Sequence, residues 1–269
     1  MDHVYLKGRL LGKGSHGKVT AIQHSITKRW KVMKEVSANS PDLLAALHER
    51  TILSYLQACP FVPRLFCAVR QERTFVMVMQ YCSGGELRYH LTHQRFELNV
   101  VKHLLSHLVV GIMDIHAMGV MHRDLNLRNI LLDNLGYAII TDFNTSYKMI
   151  EKQSEPNSEH KILVKDDNPE KIIYGTFPYI APELLTGSPH DEGVDWWSLG
   201  IVAYELLYGH PPWKPVHGGT EEEKRQLLYN DIMEKKLHFK ENENPHFKTL
   251  VSGLLSIDPT KRLKGEEVK

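Results

Sequence analysis

The sequence has few cysteines, and the three present do not have the number or spacing of a disulfide framework. Cys59, Cys67 and Cys82 are an odd number, without a CxxC pair, in a chain of 269 residues. Disulfide-dependent domains carry dense, even sets of cysteines, and structural zinc sites use closely spaced Cys and His pairs. The 16 histidines include no HExxH or similar spacing. We therefore expect reduced thiols in a cytoplasmic or nuclear protein, without a structural zinc site.

An excess of either charge is also absent, as is any hydrophobic run long enough to cross a bilayer. Lys plus Arg number 33 and Asp plus Glu number 32, a formal charge of +1. This balance gives no reason to expect nucleic acid or an anionic membrane as a partner. The apolar stretch at residues 108–115 is far shorter than a spanning helix of about 20 residues, and the N-terminus lacks the apolar core of a signal peptide. We expect a soluble monomer.

The first third of the chain has the pattern of a β-sheet. Residues 4–36 alternate β-branched and polar side chains around a glycine-rich turn, which predicts three strands. A helical pattern over residues 42–57 follows. Two further strands are predicted at 63–70 and 74–81, and the segment SGGE at 83–86 interrupts the pattern.

The rest of the chain is mainly helical in pattern. Two short strands are predicted at 130–133 and 137–142, and the polar residues 146–171 are typical of a mobile loop. A small β-rich part followed by a larger helical part is an α+β architecture. Helices are predicted at 86–94, 99–119, 194–209, 222–236 and 245–257.

Two features of the β-rich part suggest a phosphate site. Gly12, Gly14 and Gly17 form a GxGxxG pattern, whose backbone N–H groups can close over a phosphate chain. A Rossmann turn is excluded because a strand, not a helix, follows the last glycine. Lys34 lies on an interior strand and needs an anionic partner, for which Glu49 on the next helix is suitable. Each feature alone is weak, since hairpin turns and surface lysines are common.

The segment MHRDLNLRNILL, residues 121–132, adds further polar groups at fixed spacing. Asp124 can accept a hydroxyl proton, while Asn129 and Asp142 offer the oxygen ligands that Mg²⁺ prefers. Taken in order, the glycine turn, Lys34, Glu49 and the HRDxxxxN, DFG-like and APE motifs resemble those of a eukaryotic protein kinase.

This resemblance implies a two-lobed protein kinase fold of the α+β class. The small β-rich N-lobe would cover residues 1–82 and the larger α-helical C-lobe residues 83–269, with 146–171 as an extended activation-loop insert. ATP and Mg²⁺ are the implied cofactors, and the implied reaction is transfer of the γ-phosphate to a protein hydroxyl.

The family roles carry over by position. Lys34, paired with Glu49, would hold the α- and β-phosphates, and Asp124 would orient the substrate hydroxyl and accept its proton. Asn129 and Asp142 would hold Mg²⁺. Core packing alone would also explain the apolar members of the implied ATP site, which comprises Leu11, Gly12, Gly14, Gly17, Val19, Val32, Lys34, Met79, Gln80, Cys82, Glu86 and Leu131.

The C-terminal half is similar to Ser/Thr kinases of the AGC group. YGTFPYIAPELL contains Thr176, which in that group contacts the catalytic Asp, and Glu183 of the APE motif. The resemblance implies that Asp195 anchors the catalytic loop and that Arg262 pairs with Glu183. A helix cap and a surface cation are the ordinary alternatives for Asp195 and Arg262.

Several positions depart from the family pattern. Asn126 stands where Ser/Thr kinases have a Lys that touches the γ-phosphate, and we expect Arg128 to replace that cation. Asn144 makes the usual DFG into DFN, which keeps the metal ligand. Ile172 occupies the usual phosphosite, so activity independent of phosphorylation there is expected.

The expected substrates are proteins with a Ser or Thr near one upstream basic residue. Glu86 would recognise that arginine, whereas Arg128 would repel a second one. Two alternatives remain open: an ATP-binding pseudokinase without phosphate transfer, and a tyrosine or dual-specificity kinase suggested by Arg128 alone. AGC kinases continue into a C-terminal tail, and the sequence ends before one, either as a truncation or as a tail-less relative.

Overall fold

The computed structural model describes residues 4–14, 17–149, 175–213, 218–234 and 236–269. These residues form a β-rich N-terminal lobe and a larger helical C-terminal lobe. The predicted α+β architecture is therefore confirmed, whereas the boundary between residues 82 and 83 remains a prediction.

The N-terminal lobe is one antiparallel sheet covered by a helix. The strand order is β1-β2-β3-β5-β4, and helix α1, Leu43–Tyr55, packs against β3, β4 and β5. All five strands predicted for this region are present, with bounds β1 Tyr5–Gly14, β2 Gly17–His24, β3 Trp30–Ser37, β4 Leu65–Arg70 and β5 Thr74–Gln80.

The strand register places several predicted site residues on one face of this sheet. Lys34 on β3 lies opposite Val19 on β2 and Met77 on β5. Two residues earlier, Val32 lies opposite Met79. Because opposite residues share a face and so do alternate residues of one strand, all five side chains project from the same side of the sheet.

The C-terminal lobe is organised around two helices, α3 and α5. Every residue of α5 from Gly193 to Leu206 is buried, and α3 packs against α5 and two short strands. By length and composition alone α3 could cross a membrane, but its apolar stripe contributes eight buried residues to this core. The helices are α2 Leu87–His93, α3 Leu98–Ala117, α4 Pro182–Leu185, α5 Gly193–Tyr208, α6 Glu221–Glu234 and α7 Pro245–Leu254, followed by a 3₁₀ turn Gly265–Val268.

Five short strands complete the fold. Three of them form the sheet β6-β8-β9, and β7 pairs with β10. The predicted loop at 146–171 therefore begins as a strand, because the backbone of β10 finds partners on β7; residues 150–174 lie outside the described residues. The bounds are β6 Gly85–Glu86, β7 Val120–Met121, β8 Ile130–Leu132, β9 Ala138–Ile140 and β10 Tyr147–Lys148.

A buried ion pair connects Arg262, near the end of the chain, to α4 and to the start of α5. The Arg262 guanidinium is 0% exposed and bonds both carboxylate oxygens of Glu183, with Nη2 2.9 Å from Oε2. It also donates to the carbonyls of Gly193, at 2.9 Å, and Ser256, at 3.1 Å. The predicted Arg262–Glu183 pair is thus confirmed, and the alternative of a surface cation is wrong.

We expect Arg262→Met to destabilise the fold by about 3–5 kcal/mol, because it leaves the buried Glu183 carboxylate without a counter-charge. The urea dependence of unfolding measures this. The double variant Arg262→Met/Glu183→Leu should recover much of the loss, and Lys261→Met, whose side chain is exposed, should change little. Equal losses for Arg262→Met and Lys261→Met would contradict the argument.

Candidate active site

The loop between β7 and β8 is held from below by a buried carboxylate. Asp195, in the first turn of α5, accepts hydrogen bonds from the backbone N–H groups of His122 and Arg123, each at 2.8 Å, and from His116 Nε2 at 2.8 Å. Burial alone would raise the pKa of Asp195, but the hydrogen bond and charge of His116 outweigh it, so the pKa is lowered. The expectation that Asp195 anchors the loop is confirmed.

Sequence reasoning gave no role to His122, yet its ring connects the catalytic loop to the segment around Asp142. Its Nδ1 accepts from the backbone N–H of Asp124 at 3.2 Å, and its Nε2 lies 2.9 Å from the carbonyl oxygen of Thr141. These two bonds require the proton on Nε2. The ring also lies edge-on to Phe143, with centroids 4.7 Å apart. The ring of His122 therefore fixes the position of the loop relative to the residues on either side of Asp142.

Asp124 is surrounded by neutral donors. Its carboxylate accepts from Thr176 Oγ1 at 2.7 Å, Asn126 Nδ2 at 3.0 Å and Asn129 Nδ2 at 3.0 Å. Burial raises the pKa of Asp124, assisted by the charge of Asp142, while the hydrogen bonds from Thr176 and Asn126 lower it; the net shift is upward. A carboxylate with a raised pKa is a better proton acceptor than an exposed one.

The Asn126 side chain helps to hold the site together, although the sequence analysis treated it only as the loss of a lysine. Its side chain is 3% exposed and donates to the Asp124 carboxylate and to Thr176 Oγ1, the latter at 3.3 Å. The side-chain amide oxygen of Asn126, Oδ1, accepts hydrogen bonds from the backbone N–H groups of Arg128 and Asn129, at 2.9 and 3.3 Å. Asn126 thus connects Asp124 and Thr176 to the backbone of residues 128 and 129 without contributing a charge.

Lys34 reaches across from the N-terminal sheet. Its Nζ is 2.6 Å from Glu49 Oε2 and 3.9 Å from Asp142 Oδ1. Burial is the largest single influence and would lower the pKa of Lys34, but the charges of Glu49 and Asp142 together outweigh it, so the pKa is raised. The ammonium is therefore charged at neutral pH and projects from the same sheet face as Val32.

The oxygen atoms that would hold Mg²⁺ are free of competing hydrogen bonds. Asp142 Oδ1 is buried and has no hydrogen-bond partner within the described residues. Asn129 uses its amide nitrogen for Asp124, and none of the hydrogen bonds in the described part of the chain engages its amide oxygen. Two such oxygens suit a hard cation that retains waters and phosphate oxygens as further ligands, so these residues fit Mg²⁺.

Backbone strain accompanies this arrangement. Asp142 has φ 64° and Arg123 has φ 65°, left-handed conformations that non-glycine residues adopt at a cost of about 1–3 kcal/mol. Arg123 is held there by the Asp195 contact and by its Nε, which donates to the carbonyl oxygen of Thr145 at 2.8 Å. Both strained residues thus lie in segments that carry predicted site residues, Asp124 and Asp142.

The predicted nucleotide-site residues lie on both sides of the same region. Val19, Val32 and Leu131 are half-buried, Met79 is 8% exposed, and Leu11 at the edge of the sheet is 38% exposed. Leu131 belongs to β8 of the C-terminal lobe, so the apolar residues come from both lobes.

The segment that joins the lobes contains the remaining predicted residues. Gln80 ends β5, Cys82 is buried, and Glu86 is exposed on β6, opposite Leu131. Burial raises the pKa of the Cys82 thiol to about 12, so this cysteine is an inert thiol at neutral pH.

The three glycines of the turn serve different purposes. A Cβ placed on Gly12 or Gly14 would meet nothing within 4 Å, so the space next to these two residues at the end of β1 is open. Gly17 has φ 111°, and its Cβ would lie 2.5 Å from the carbonyl oxygen of Glu35. Only Gly17 is therefore required by the protein's own packing.

Helix α1 is attached to both lobes. Glu49 bonds Lys34, while the adjacent His48 places Nε2 2.8 Å from the carbonyl oxygen of Ser146. Further along, Lys148 lies over the ring of Tyr55, 3.7 Å from its centroid. The position of α1 is thus coupled to the segment that follows Asp142.

Among the residues that the structure describes, the side chains of Arg128 and Asn144 form no hydrogen bond or ion pair with the other site residues. The Arg128 side chain is exposed, and only its backbone N–H is bonded to Asn126. Asn144 is half-buried, and its Oδ1 is a buried acceptor without a partner in the described residues. Ile172 lies outside the described residues.

The protein kinase domain family model matches residues 5–269. The chain belongs to the protein kinase family. The two-lobed kinase fold predicted from the motifs is therefore confirmed, and Lys34, Glu49, Asp124, Asn129 and Asp142 lie where the kinase domain brings its two lobes together.

Several curated relatives are Ser/Thr kinases by name. The chain is 32% identical over 259 residues to a probable serine/threonine-protein kinase of Dictyostelium discoideum, covering 94% of this chain and 52% of that protein. It is 32% identical to YPK2/YKR2 of Saccharomyces cerevisiae, covering 95% and 35%, and to Sgk1 of Xenopus tropicalis, covering 97% and 58%. The chain thus spans only part of the length of each relative, and the predicted resemblance to AGC-type Ser/Thr kinases is confirmed.

We expect Thr176→Val to shift the acidic limb of the pH–kcat/KM profile to higher pH. The Thr176 hydroxyl stabilises the charged Asp124 carboxylate, so its removal raises the pKa of Asp124 further, and the base is protonated at a higher pH. Thr176→Ser retains the hydroxyl and should keep the wild-type limb. An unchanged limb in the valine variant would show that this hydrogen bond does not set the pKa of the base.

Proposed function

We propose that the chain is a catalytically active Ser/Thr protein kinase that transfers the γ-phosphate of ATP to protein hydroxyls. The observation that supports this most directly is the convergence of Lys34, Asp142 and Asp124 with their partners in place. Lys34 is charged and lies 3.9 Å from Asp142, while Asp124 is held by three neutral donors.

Each residue then has a chemical task. The Lys34 ammonium holds the α- and β-phosphates, and Glu49 keeps it in place. Asp124 orients the substrate hydroxyl and accepts its proton, while the Thr176 hydroxyl positions the Asp124 carboxylate. Asn129 and Asp142 hold Mg²⁺, which when bound neutralises charge on the phosphates.

The adenine pocket follows the same reasoning. Val19 and Val32 would cover the base, Leu131 would lie beneath it, and Met79 would limit the depth of the pocket. Backbone groups between Gln80 and Cys82 would bond the edge of the base. Gly12, Gly14 and Gly17 would approach the phosphates, and Leu11 and Glu86 would border the site.

The substrate and cellular setting belong to the same proposal. Glu86, exposed at the start of α2, would bind one arginine upstream of the target Ser or Thr, and Arg128 would repel a second. We propose that the enzyme acts on intracellular proteins as a monomer, without nucleic-acid or membrane partners. The named relatives do not favour a pseudokinase, since each is named as a kinase.

The decisive test measures transfer of labelled γ-phosphate from Mg-ATP to a Ser peptide with one upstream arginine. We expect transfer by the wild-type chain and a loss of about 10³-fold or more in Asp124→Asn, because the isosteric amide cannot accept the proton. With matched peptides that carry Ser, Thr or Tyr as the acceptor, phosphoamino-acid analysis should show phosphoserine and phosphothreonine and no phosphotyrosine. Nucleotide binding without transfer by the wild-type chain would support the pseudokinase instead.

We further expect Arg128→Ala to lower kcat, by up to about 10³-fold, if Arg128 supplies the cation that Asn126 lacks. Arg73→Ala is a matched control, because Arg73 is also an exposed arginine but lies in the turn between β4 and β5. Single-turnover rates separate this effect from peptide binding. A kcat equal to that of the control variant would exclude Arg128 from the chemical step.

A further inference from the structure

Two arginines, Arg88 and Arg128, belong to backbone segments that contact each other at the catalytic loop. Arg88, in the first turn of α2, donates its backbone N–H to the carbonyl oxygen of Leu127 at 2.9 Å. Arg128 is the next residue of that loop. The start of α2 and the loop are therefore in direct contact, and the two arginines project from neighbouring backbone positions.

The carboxylate paired with Arg88 does not face solvent. The Glu205 side chain is 2% exposed, and its two oxygens are engaged by the Arg88 guanidinium and by the Tyr179 hydroxyl. The Arg88 side chain is 40% exposed. The Arg88 side chain is thus partly exposed, while the carboxylate that neutralises it is buried.

Arg128 adds a second positive group to this surface. Its backbone is fixed by the hydrogen bond to Asn126 Oδ1, and its side chain is exposed. It forms no ion pair or side-chain hydrogen bond with any residue that the structure describes. A guanidinium with a fixed base and free donors is suited to bind a carboxylate through two parallel N–H···O bonds.

An exposed carboxylate, that of Glu86, belongs to the same two segments. Glu86 is two residues before Arg88 and pairs through β6 with Leu131 of β8. The surface around Asp124 therefore has a negative position at Glu86 and a positive one at Arg88 and Arg128. A peptide bound across it would meet opposite charges at two separate places.

We propose that Arg128, with Arg88 beside it, forms a subsite for an acidic side chain of the protein substrate. This inference rests on the proposed kinase function and narrows its substrate class. The preferred substrates carry one arginine for Glu86 and, at a second position near the acceptor, an Asp or Glu whose carboxylate binds Arg128. Arg128 is thus a specificity-determining residue.

The experiment compares peptides within each enzyme variant. A Ser peptide with one upstream arginine is prepared with Asp, Ala or Arg at each other flanking position, and kcat/KM is measured. The Asp-to-Ala ratio cancels any loss of chemistry that a variant suffers with both peptides. At one position the wild-type ratio should be about two- to fivefold, the range of an exposed ion pair.

Variants at Arg128 then test whether this side chain causes the preference for Asp over Ala. Arg128→Gln should bring the Asp-to-Ala ratio to one, Arg128→Glu should favour the Arg peptide at that position, and Arg128→Lys should retain part of the preference. Arg73→Glu is the matched control and should keep the wild-type ratio. A wild-type ratio of one at every position, or a ratio unaffected by Arg128→Gln, would overturn the proposal.

A second readout separates this proposal from the kinase function itself. If no peptide is phosphorylated although nucleotide binds, the proposed function fails. Binding of the same peptides with Ala in place of the acceptor Ser, followed by fluorescence anisotropy, still gives a ratio of Kd values for Asp and Ala. Loss of that ratio in Arg128→Gln supports the subsite, and equal Kd values in the wild-type chain overturn it.

Discussion

The reacting groups depend on one buried carboxylate, that of Asp195. It holds the backbone N–H groups of His122 and Arg123, and so fixes the strained turn from which Asp124 projects. Because α5 is buried along almost its whole length, this anchor is part of the core of the lobe rather than of a loop. The Arg262–Glu183 pair is bonded to the start of the same helix, because the Arg262 guanidinium donates a hydrogen bond to the Gly193 carbonyl oxygen. The positions of the reacting groups therefore depend on how α5 packs in the core of the C-terminal lobe.

The charge balance of the site differs from the family pattern in a specific way. Asn126 keeps the hydrogen bonds that hold Asp124 and Thr176 together, but it contributes no positive charge. Burial and the charge of Asp142 raise the pKa of Asp124, and the charges of Glu49 and Asp142 raise the pKa of Lys34. The positive charge that a lysine would place in the loop is therefore absent from position 126.

Much of the fold was predictable, because periodic patterns extend over whole elements. The predicted helix at 194–209 corresponds to Gly193–Tyr208, and it ends where Gly209 adopts φ 79°. The strands β7 and β10 were missed because two residues contain no period, and their pairing depends on distant backbone. The identity of the site residues followed from motif order, whereas the bridging role of Asn126 and the contacts of His122 required coordinates, since nothing in a local sequence encodes bonds across a folded loop.

The attachment of α1 has a mechanical consequence. His48 and Glu49 are consecutive residues, so their side chains diverge by about 100° around the helix axis, and each bonds a different lobe. A displacement of α1 that changes the Glu49–Lys34 contact therefore also changes the position of His48 relative to Ser146, so one helix relates the geometry of Lys34 to that of the segment that follows Asp142.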